Sequence, residues 1–336
     1  MDKESVLKVL SKILYPPYQK DIVTFGMVKE VRIDGDTLAV GIYTGVKKDK
    51  DELIQRLARE ALEAAFPNVH AHVIMLENDP AAAAAPTPSA ETLKDVKLKI
   101  AVASGKGGVG KSTVAVNLAR AFARIFSDSE NARVGLMDCD VHGPSATILF
   151  GEVPQLLSDG EKIFPPVTDG VKTISMGMLV DDSQPLIWRG PMITSAIKQF
   201  TSDVAWGELE IMIFDLPPGT GDAVISVAQT IPLSGAIIVT TANKLAEKTA
   251  TRGAMIFEKM NVKILGVVEN MAYLQMPDGS KNRLFGESSA KECADKLSTE
   301  LLCEIPIDPT LQSERPSESA SKIFDDLARE ILKRLS

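Results

Sequence analysis

The chain has 336 residues, of which 45% are hydrophobic, 24% charged and 5% aromatic. This composition is typical of a soluble globular protein, and the length exceeds that of an average domain, so we expect one large and one small domain. The 37 basic and 45 acidic residues give a net charge of −8, which argues against a general binder of nucleic acid or anionic membranes. Small molecules or proteins are the expected partners.

The cysteines and the N-terminus indicate the compartment. Cys139, Cys293 and Cys303 are too few and too scattered for a disulfide framework. The first residues lack a basic and then apolar signal sequence, and no run of about 18 apolar residues could span a bilayer. We therefore expect a cytoplasmic protein.

Residues 1–76 have the pattern of a small α+β domain. Apolar residues at helical spacing predict amphipathic helices over 4–14 and 51–65. Alternating apolar residues predict strands at 22–25, 28–33, 38–43 and 70–75. Residues 77–96 contain a run of five alanines followed by prolines, and they predict a linker because they could bury little apolar surface.

Residues 97–336 alternate between short apolar runs and helical patterns. Near-continuous apolar runs indicate strands that are covered on both faces, so we predict an α/β domain with a doubly wound, mostly parallel sheet. The expected strands are at 99–103, 134–137, 210–214, 235–240, 263–268 and 301–304. The expected helices are at 112–125, 191–204, 223–230, 246–259, 290–297 and 321–335.

Residues 101–113, Ala-Val-Ala-Ser-Gly-Lys-Gly-Gly-Val-Gly-Lys-Ser-Thr, match a phosphate-binding loop between a strand and a helix. In such a loop, backbone N–H groups and the N-terminus of the helix surround a triphosphate. The lysine contacts the β- and γ-phosphates and the hydroxyl contacts Mg²⁺, which assigns these roles to Lys111 and Ser112. The residues expected to bind the nucleotide are Gly105, Lys106, Gly107, Gly108, Val109, Gly110, Lys111, Ser112 and Thr113.

Carboxylates follow two of the other predicted strands. Asp138 and Asp140 come after one apolar run, and Asp215 ends another. Strand ends in such a sheet lie beside the phosphate-binding loop, where a carboxylate can hold Mg²⁺ and another can orient the attacking water. We assign Ser112, Asp138 and Asp215 to the metal and Asp140 to the water; the alternative for 138–145 is a polar strand end followed by a turn.

Lys106 follows the first glycine of the loop at once, as in the deviant phosphate-binding loop of the MinD/ParA-like ATPases. Further motifs lie at 106–113, 138–145, 187–192, 215–222 and 266–271. With these motifs the chain resembles, within that class, the Mrp/ApbC-type iron–sulfur cluster carrier proteins. Residues 1–76 resemble the small iron–sulfur assembly domain that is often fused upstream.

The resemblance implies further roles. Lys106 would reach the nucleotide of a partner in a homodimer and act in catalysis with Lys111 and Asp140. Asn270 would contact adenine, because an amide pairs with both a donor and an acceptor on the base edge. The alternative for Asn270 is a strand-end residue that caps a turn.

The sequence departs from this family where a cluster would be bound. Members usually carry a Cys-x-x-Cys pair soon after the motif at 269–271, but this chain has none there, and the reactive cysteine of the small domain is also missing from 43–48. A [4Fe–4S] cluster, which the resemblance makes possible, needs about four thiolates. We expect the three cysteines of this chain to be buried as small apolar side chains.

The preferred hypothesis is a Mg²⁺-dependent dimeric ATPase that takes part in iron–sulfur cluster assembly or delivery to client or scaffold proteins. The alternative is a MinD/ParA-like switch that is controlled by nucleotide and carries no cluster. A kinase-like phosphotransferase is a third option, without a recognisable acceptor site. The final helix at 321–335 could bind a membrane, but its charges nearly cancel, so we expect it to pack on the domain.

Overall fold

The computed structural model describes residues 2–15, 21–24, 26–44, 50–76, 91–127, 131–140, 143–151, 154, 156–179, 190–313 and 315–335. The chain separates into two compact units, residues 1–85 and 86–336. The smaller unit has one hydrophobic core, and the larger has one on each face of its sheet.

The small unit consists of two helices, α1 (Lys3–Leu10) and α2 (Asp51–Ala65), and a three-stranded sheet. The strands are β1 (Val28–Asp34), β2 (Thr37–Ile42) and β3 (His70–Met75), with β2 in the centre, antiparallel to β1 and parallel to β3. Both predicted helices and three of the four predicted strands are thus present. The buried core includes Leu10, Leu38, Val40, Ile54 and Leu62.

The predicted strand at 22–25 is wrong. Residues 22–24 form a turn, in which a carboxylate oxygen of Asp21 accepts hydrogen bonds from the backbone N–H of Val23 (3.0 Å) and Thr24 (2.8 Å). A short polar side chain that binds nearby backbone in this way competes with strand pairing. Phe25 lies outside the described residues. The predicted helix at 4–14 ends earlier, at Leu10, and Leu14 pairs with Asp21 in an isolated bridge.

The large unit is built on an eight-stranded sheet with strand order β15-β12-β11-β4-β10-β5-β9-β8. Seven strands are parallel, and β8 (Val167–Thr168) is an antiparallel edge strand. All six strands expected in this region are present, as predicted. The parallel strands are β4 (Val96–Ser104), β5 (Val134–Asp138), β9 (Val171–Ser175), β10 (Leu209–Asp215), β11 (Gly235–Thr240), β12 (Ile264–Glu269) and β15 (Leu301–Glu304).

Strand β9 was missed because Lys172 and Thr173 interrupt its apolar residues, although Thr173 is fully buried in the sheet. Two short hairpins were missed as well. Strand β6 (Leu157–Ser158) pairs with β7 (Ile163–Phe164), and β13 (Leu274–Gln275) pairs with β14 (Lys281–Asn282). The linker prediction at 77–96 falls largely outside the described residues; residues 91–95 form turns and Val96 already belongs to β4.

Helices cover both faces of the sheet, which confirms the doubly wound α/β fold. One face carries α3 (Lys111–Ile125), α4 (Ala146–Phe150) and α9 (Glu318–Leu335). The other carries α5 (Gly190–Ser202), α6 (Asp222–Thr230), α7 (Lys244–Lys259) and α8 (Ala290–Lys296).

The final helix, α9, packs on the domain as expected. Phe324, Leu327 and Ile331 are buried in the core beside α3, and the Arg124 guanidinium of α3 pairs with Asp325 at 2.6 Å. Across the described ranges, no helix combines the length and the apolar character that a membrane span requires.

Candidate functional site

The loop between β4 and α3 lies at the centre of the sheet, because β4 is flanked by β10 and β11. Gly108 and Gly110 both have φ +76°, a left-handed conformation that residues with a side chain rarely adopt. The Ser104 hydroxyl donates to the backbone oxygen of Lys106 at 3.1 Å. The loop therefore leads from the strand into the first turn of α3, which begins at Lys111.

Two glycines of this loop, Gly105 and Gly110, are in close contact with other parts of the fold. A Cβ at Gly105 would lie 2.0 Å from the backbone carbonyl carbon of Thr249 in α7, so helix and loop pack backbone against backbone. A Cβ at Gly110 would lie 2.1 Å from the Asn270 amide nitrogen. That amide donates to the backbone oxygen of Val109 at 2.9 Å. Asn270 thus contacts the loop directly from the end of β12.

Lys111 and Asp215 form a buried ion pair at the strand ends. Their Nζ and Oδ1 atoms are 2.5 Å apart, and Lys111 Nζ also lies 3.2 Å from the Ser112 hydroxyl. Burial raises the pKa of Asp215, while the Lys111 charge acts in the opposite direction. The other carboxylate oxygen of Asp215 is buried and has no hydrogen-bond partner within the part of the chain that the structure describes. An unpaired buried oxygen beside a serine hydroxyl is the kind of group that a bound cation and its water would satisfy.

Asp138 lies next to Asp215 in the sheet, since the two are register partners of β5 and β10. One Asp138 oxygen accepts from the backbone N–H of Asp140 (3.0 Å). The other accepts from the backbone N–H of Ser145 (3.1 Å) and Ala146 (3.2 Å) and from the Ser175 hydroxyl (3.0 Å). Burial, followed by the Asp215 charge, raises the pKa of Asp138. Asp138 therefore anchors the segment that carries Asp140 and begins α4.

Two cavities meet at the loop. The first, of about 370 Å³, is lined by loop residues 106–113 together with Asp140 and Pro218. The second, of about 510 Å³, is lined by Asn270, Met271 and the segment 306–312. Both cavities are lined by Gly108, Gly110 and Thr113, so they adjoin across the loop. The first cavity is lined by the phosphate-binding loop with Lys111 and is suited to phosphates. The second is lined by the Asn270 amide and apolar residues and has room for a base.

The structure brings together most of the predicted site residues. Residues 106–113 and Asp140 line the first cavity, Asn270 lines the second, and Asp138 and Asp215 lie buried behind Lys111. Gly105 lines neither cavity and instead packs against α7. The segment 306–312 was not among the predicted site residues, although the run Ile-Pro-Ile-Asp-Pro directly after a predicted strand was a signal for it.

The cysteines do not form a ligand set. Cys139 and Cys293 are buried as expected, Cys303 is half-buried, and none forms a disulfide. Burial raises the pKa of Cys139 and Cys293 and raises that of Cys303 to about 12, which disfavours the thiolate. In the described ranges, no three His, Cys, Asp or Glu side chains are placed to hold a metal ion together. His142, which follows Cys139 at metal-ligand spacing, lies outside the described residues.

Comparison with family models assigns both units. Residues 95–334 match the model described as NUBPL iron-transfer P-loop NTPase. The chain belongs to this family. Residues 3–73 match the model of an iron–sulfur cluster assembly protein. The order of the two matches along the chain, first the assembly model and then the NTPase model, is the order that the sequence predicts. The resemblance to iron–sulfur cluster carriers is thereby confirmed.

Individual relatives and solved structures are similar to this chain. An iron–sulfur cluster carrier protein of Helicobacter pylori is 35% identical, over 98% of this chain and 92% of the relative. A nucleotide-binding protein of Archaeoglobus fulgidus, solved in complex with ADP, is 38% identical over 71% of this chain and 90% of its own, with a TM-score of 0.56. The cell division ATPase MinD of Pyrococcus furiosus is 20% identical over 70% of this chain and 98% of its own, with a TM-score of 0.51, and shows the shared fold.

Proposed function

We propose that this protein is a Mg²⁺-dependent ATPase that works as a homodimer and takes part in iron–sulfur cluster assembly or delivery. One observation carries the ATPase part: the buried Lys111–Asp215 pair lies behind a phosphate-sized cavity that adjoins a base-sized cavity. The ADP bound by the Archaeoglobus relative supports the same ligand class here.

In this proposal the triphosphate occupies the cavity of residues 106–113, where backbone N–H groups and the N-terminus of α3 face it. The base occupies the cavity beside Asn270, whose amide lies next to the loop. The alternative role of Asn270, in a turn, is compatible with its hydrogen bond to Val109, so the contact with adenine stays a prediction.

Mg²⁺ fits the donors that are present. Ser112 and the unpaired oxygen of Asp215 are hard oxygen ligands, as this ion prefers. When bound, Mg²⁺ would neutralise charge on the β- and γ-phosphates. Both oxygens of Asp138 already accept hydrogen bonds, which favours a role in orienting the segment 140–146; direct coordination by Asp138 stays a prediction.

Hydrolysis transfers the γ-phosphoryl group to water and yields ADP and phosphate. Asp140 lines the phosphate cavity and would orient the attacking water. The Lys111 ammonium, now on Asp215, would turn to the phosphates and stabilise the charge that develops on them. Lys106 of a second subunit would add a further positive charge, as the resemblance to deviant phosphate-binding loops implies.

The first test is replacement of the loop lysine. We expect Lys111→Ala to abolish ATP turnover, because Lys106, the other lysine of the loop, is assigned to the nucleotide of the partner and does not replace the Lys111 charge. We expect Lys198→Ala, at an exposed position of α5, to leave turnover unchanged. Release of phosphate from ATP measures the outcome, and analysis of products distinguishes hydrolysis from transfer to an acceptor. Full activity of Lys111→Ala would refute the assignment.

The cluster part of the proposal treats an iron–sulfur cluster as cargo. The names of the relatives support it, while the positions of the three cysteines favour the alternative of a nucleotide-controlled switch that holds no cluster of its own. Anaerobic reconstitution with iron and sulfide separates the two. A stable visible absorption band with stoichiometric iron would support a bound cluster, and a colourless protein would refute stable binding.

A further inference from the structure

Residues 114–122 of helix α3 are all buried, and two of them, Asn117 and Arg120, are polar. Asn117 and Arg120 are each 3% exposed, among neighbours such as Leu118, Ala121 and Phe122. Burying an amide or a guanidinium costs free energy unless its hydrogen bonds are made. The hydrogen-bond partners of these two side chains therefore indicate which parts of the fold they hold together.

The Asn117 amide joins two walls of the base-sized cavity. Its Nδ2 donates to the backbone oxygen of Thr113 at 2.9 Å and to that of Leu311 at 3.0 Å. Thr113 and Leu311 both line that cavity, the first from the phosphate-binding loop side and the second from the segment 306–312. One side chain thus fixes the spacing between the phosphate-binding loop and the opposite wall.

Arg120, one turn further along α3, holds Ser313, the residue that follows this segment. Its Nη1 donates to the backbone oxygen of Ser313 at 3.3 Å, and its Nη2 donates to that of Leu149 at 3.1 Å. Its Nε donates to Asp169 at 2.8 Å, and the guanidinium lies 5.1 Å from the centre of the Phe150 ring. The side chain is therefore held rigidly on several sides.

The segment 306–312 depends on such contacts because it follows the end of β15 and contains only a short 3₁₀ helix, Pro309–Gln312. Its N-terminal half is tied to the end of β12 through Ile305 N–H to Glu269 O (2.8 Å) and Ile307 N–H to Tyr273 O (2.7 Å). Asn117 ties its C-terminal half, at Leu311, to the helix that begins at Lys111, and Arg120 ties the next residue after the segment, Ser313, to the same helix.

From these contacts we infer that Asn117 and Arg120 are positioning residues for the base of the nucleotide. They hold the segment 306–312 at the distance from the phosphate-binding loop that a base requires. They thereby determine how strongly the protein binds the nucleoside part of the nucleotide, and not how strongly it binds the phosphates. The inference rests on the proposed nucleotide site, and the experiment below separates the two.

The test compares ADP with inorganic tripolyphosphate, both with Mg²⁺, by calorimetry on the full chain. In Asn117→Leu, the Leu311 oxygen loses its donor, and we expect affinity for ADP to fall about tenfold. Affinity for tripolyphosphate, which has no base, should stay within about twofold. Arg124→Met is the control, because Arg124 lies on the same helix but pairs with Asp325 of α9 away from the cavity, and it should change neither affinity.

A second variant and a second measurement cover the case in which Asn117→Leu folds poorly. Arg120→Lys keeps the charge but not the forked donors, and we expect a loss of about threefold for ADP alone. In either folded variant, hydrogen exchange of the backbone amides of residues 310–313 should accelerate, while that of amides in β4 should not.

An equal loss of affinity for both ligands would overturn the inference, since it would mean that the helix acts on the phosphate-binding loop itself. Unchanged ADP affinity in both variants would also overturn it. A wild-type protein that binds tripolyphosphate but not ADP would refute the base cavity. One that binds neither would refute the proposed function, and the inference with it.

Discussion

Gly105 and Gly107 lie two residues apart in the phosphate-binding loop but differ in what a side chain would meet. At Gly105 a Cβ would overlap the backbone of α7, whereas at Gly107 the nearest atom, Pro218 Cγ, is 3.9 Å away. The motif requires glycine at the first position of the loop, Gly105, but the motif alone does not give the physical reason. At Gly105 the reason is the close approach of a helix that comes almost 140 residues later in the chain.

Substitution by alanine at Gly105 and at Gly107 tests whether close packing against α7 is what requires glycine at position 105. Gly105→Ala should destabilise the protein without nucleotide by about 2 kcal/mol, because backbone atoms must shift to admit the methyl group. We expect its midpoint of thermal unfolding to fall by several degrees. Gly107→Ala should unfold at the wild-type temperature. Equal unfolding temperatures for the two variants would contradict the packing that we describe.

At the scale of secondary structure elements, the ends of β12 and β15 carry a buried acidic group beside the nucleotide site. Glu269, the residue before Asn270, is fully buried, and it is the register partner of Glu304 in β15. Arg283 bonds to Glu304 at 2.6 Å, and its Nη1 lies 3.7 Å from a Glu269 oxygen. Arg283 follows β14, so these charges attach the β13–β14 hairpin to the sheet.

This cluster predicts a pH dependence of stability. Burial raises the pKa of Glu269, although Ser288 and Arg283 oppose the shift and Glu304 adds to it. A carboxyl whose folded-state pKa is raised binds its proton more tightly when folded, so it lowers the stability of the fold as the pH rises from its unfolded-state pKa through its folded-state pKa.

Glu269→Gln should therefore gain thermal stability relative to wild type as the pH is raised from 4 to 8. The exposed Glu258→Gln, which removes the same charge from the surface of α7, should show no such trend. Thermal unfolding across this pH range measures both differences. A Glu269→Gln variant whose difference from wild type does not change with pH would exclude the raised pKa.

At the scale of the whole molecule, the proposed homodimer would let Lys106 of one subunit complete the nucleotide site of the other. Lys106 lines the phosphate cavity and is half-buried, while the neighbouring Lys111 is buried against Asp215. A second positive charge at the transferred phosphoryl group accelerates related reactions by about 10³-fold or more when it is supplied by another molecule. The homodimer proposal gives Lys106 this task.

Lys106→Ala should consequently lower turnover by about 10³-fold while affinity for ADP stays within about threefold, because binding by one subunit does not need the partner's lysine. Sedimentation with ATP and without nucleotide gives the mass of the active species. A monomer that hydrolyses ATP at the wild-type rate, or normal turnover by Lys106→Ala, would rule out the dimeric mechanism.

The sequence alone determined the fold class, six of the eight strands of the large sheet, and the phosphate-binding loop. These features depend on local patterns: apolar runs for parallel strands, helical spacing, and the glycines and lysine of residues 105–111. Local patterns failed where a neighbour or a short polar contact decides the structure, as in the Asp21 turn and in β9, whose polar Thr173 is fully buried. The short segment 306–312 has no periodicity to reveal it.

Tertiary structure alone decided how the polar groups of the site are shared. It pairs Lys111 with Asp215, uses both oxygens of Asp138 to hold the next segment, and connects Asn117 to Leu311, 194 residues away. A motif specifies which groups are present. Their partners depend on which strand ends and helices lie side by side, because a buried polar group must find its hydrogen bonds among whatever the fold brings within about 3 Å.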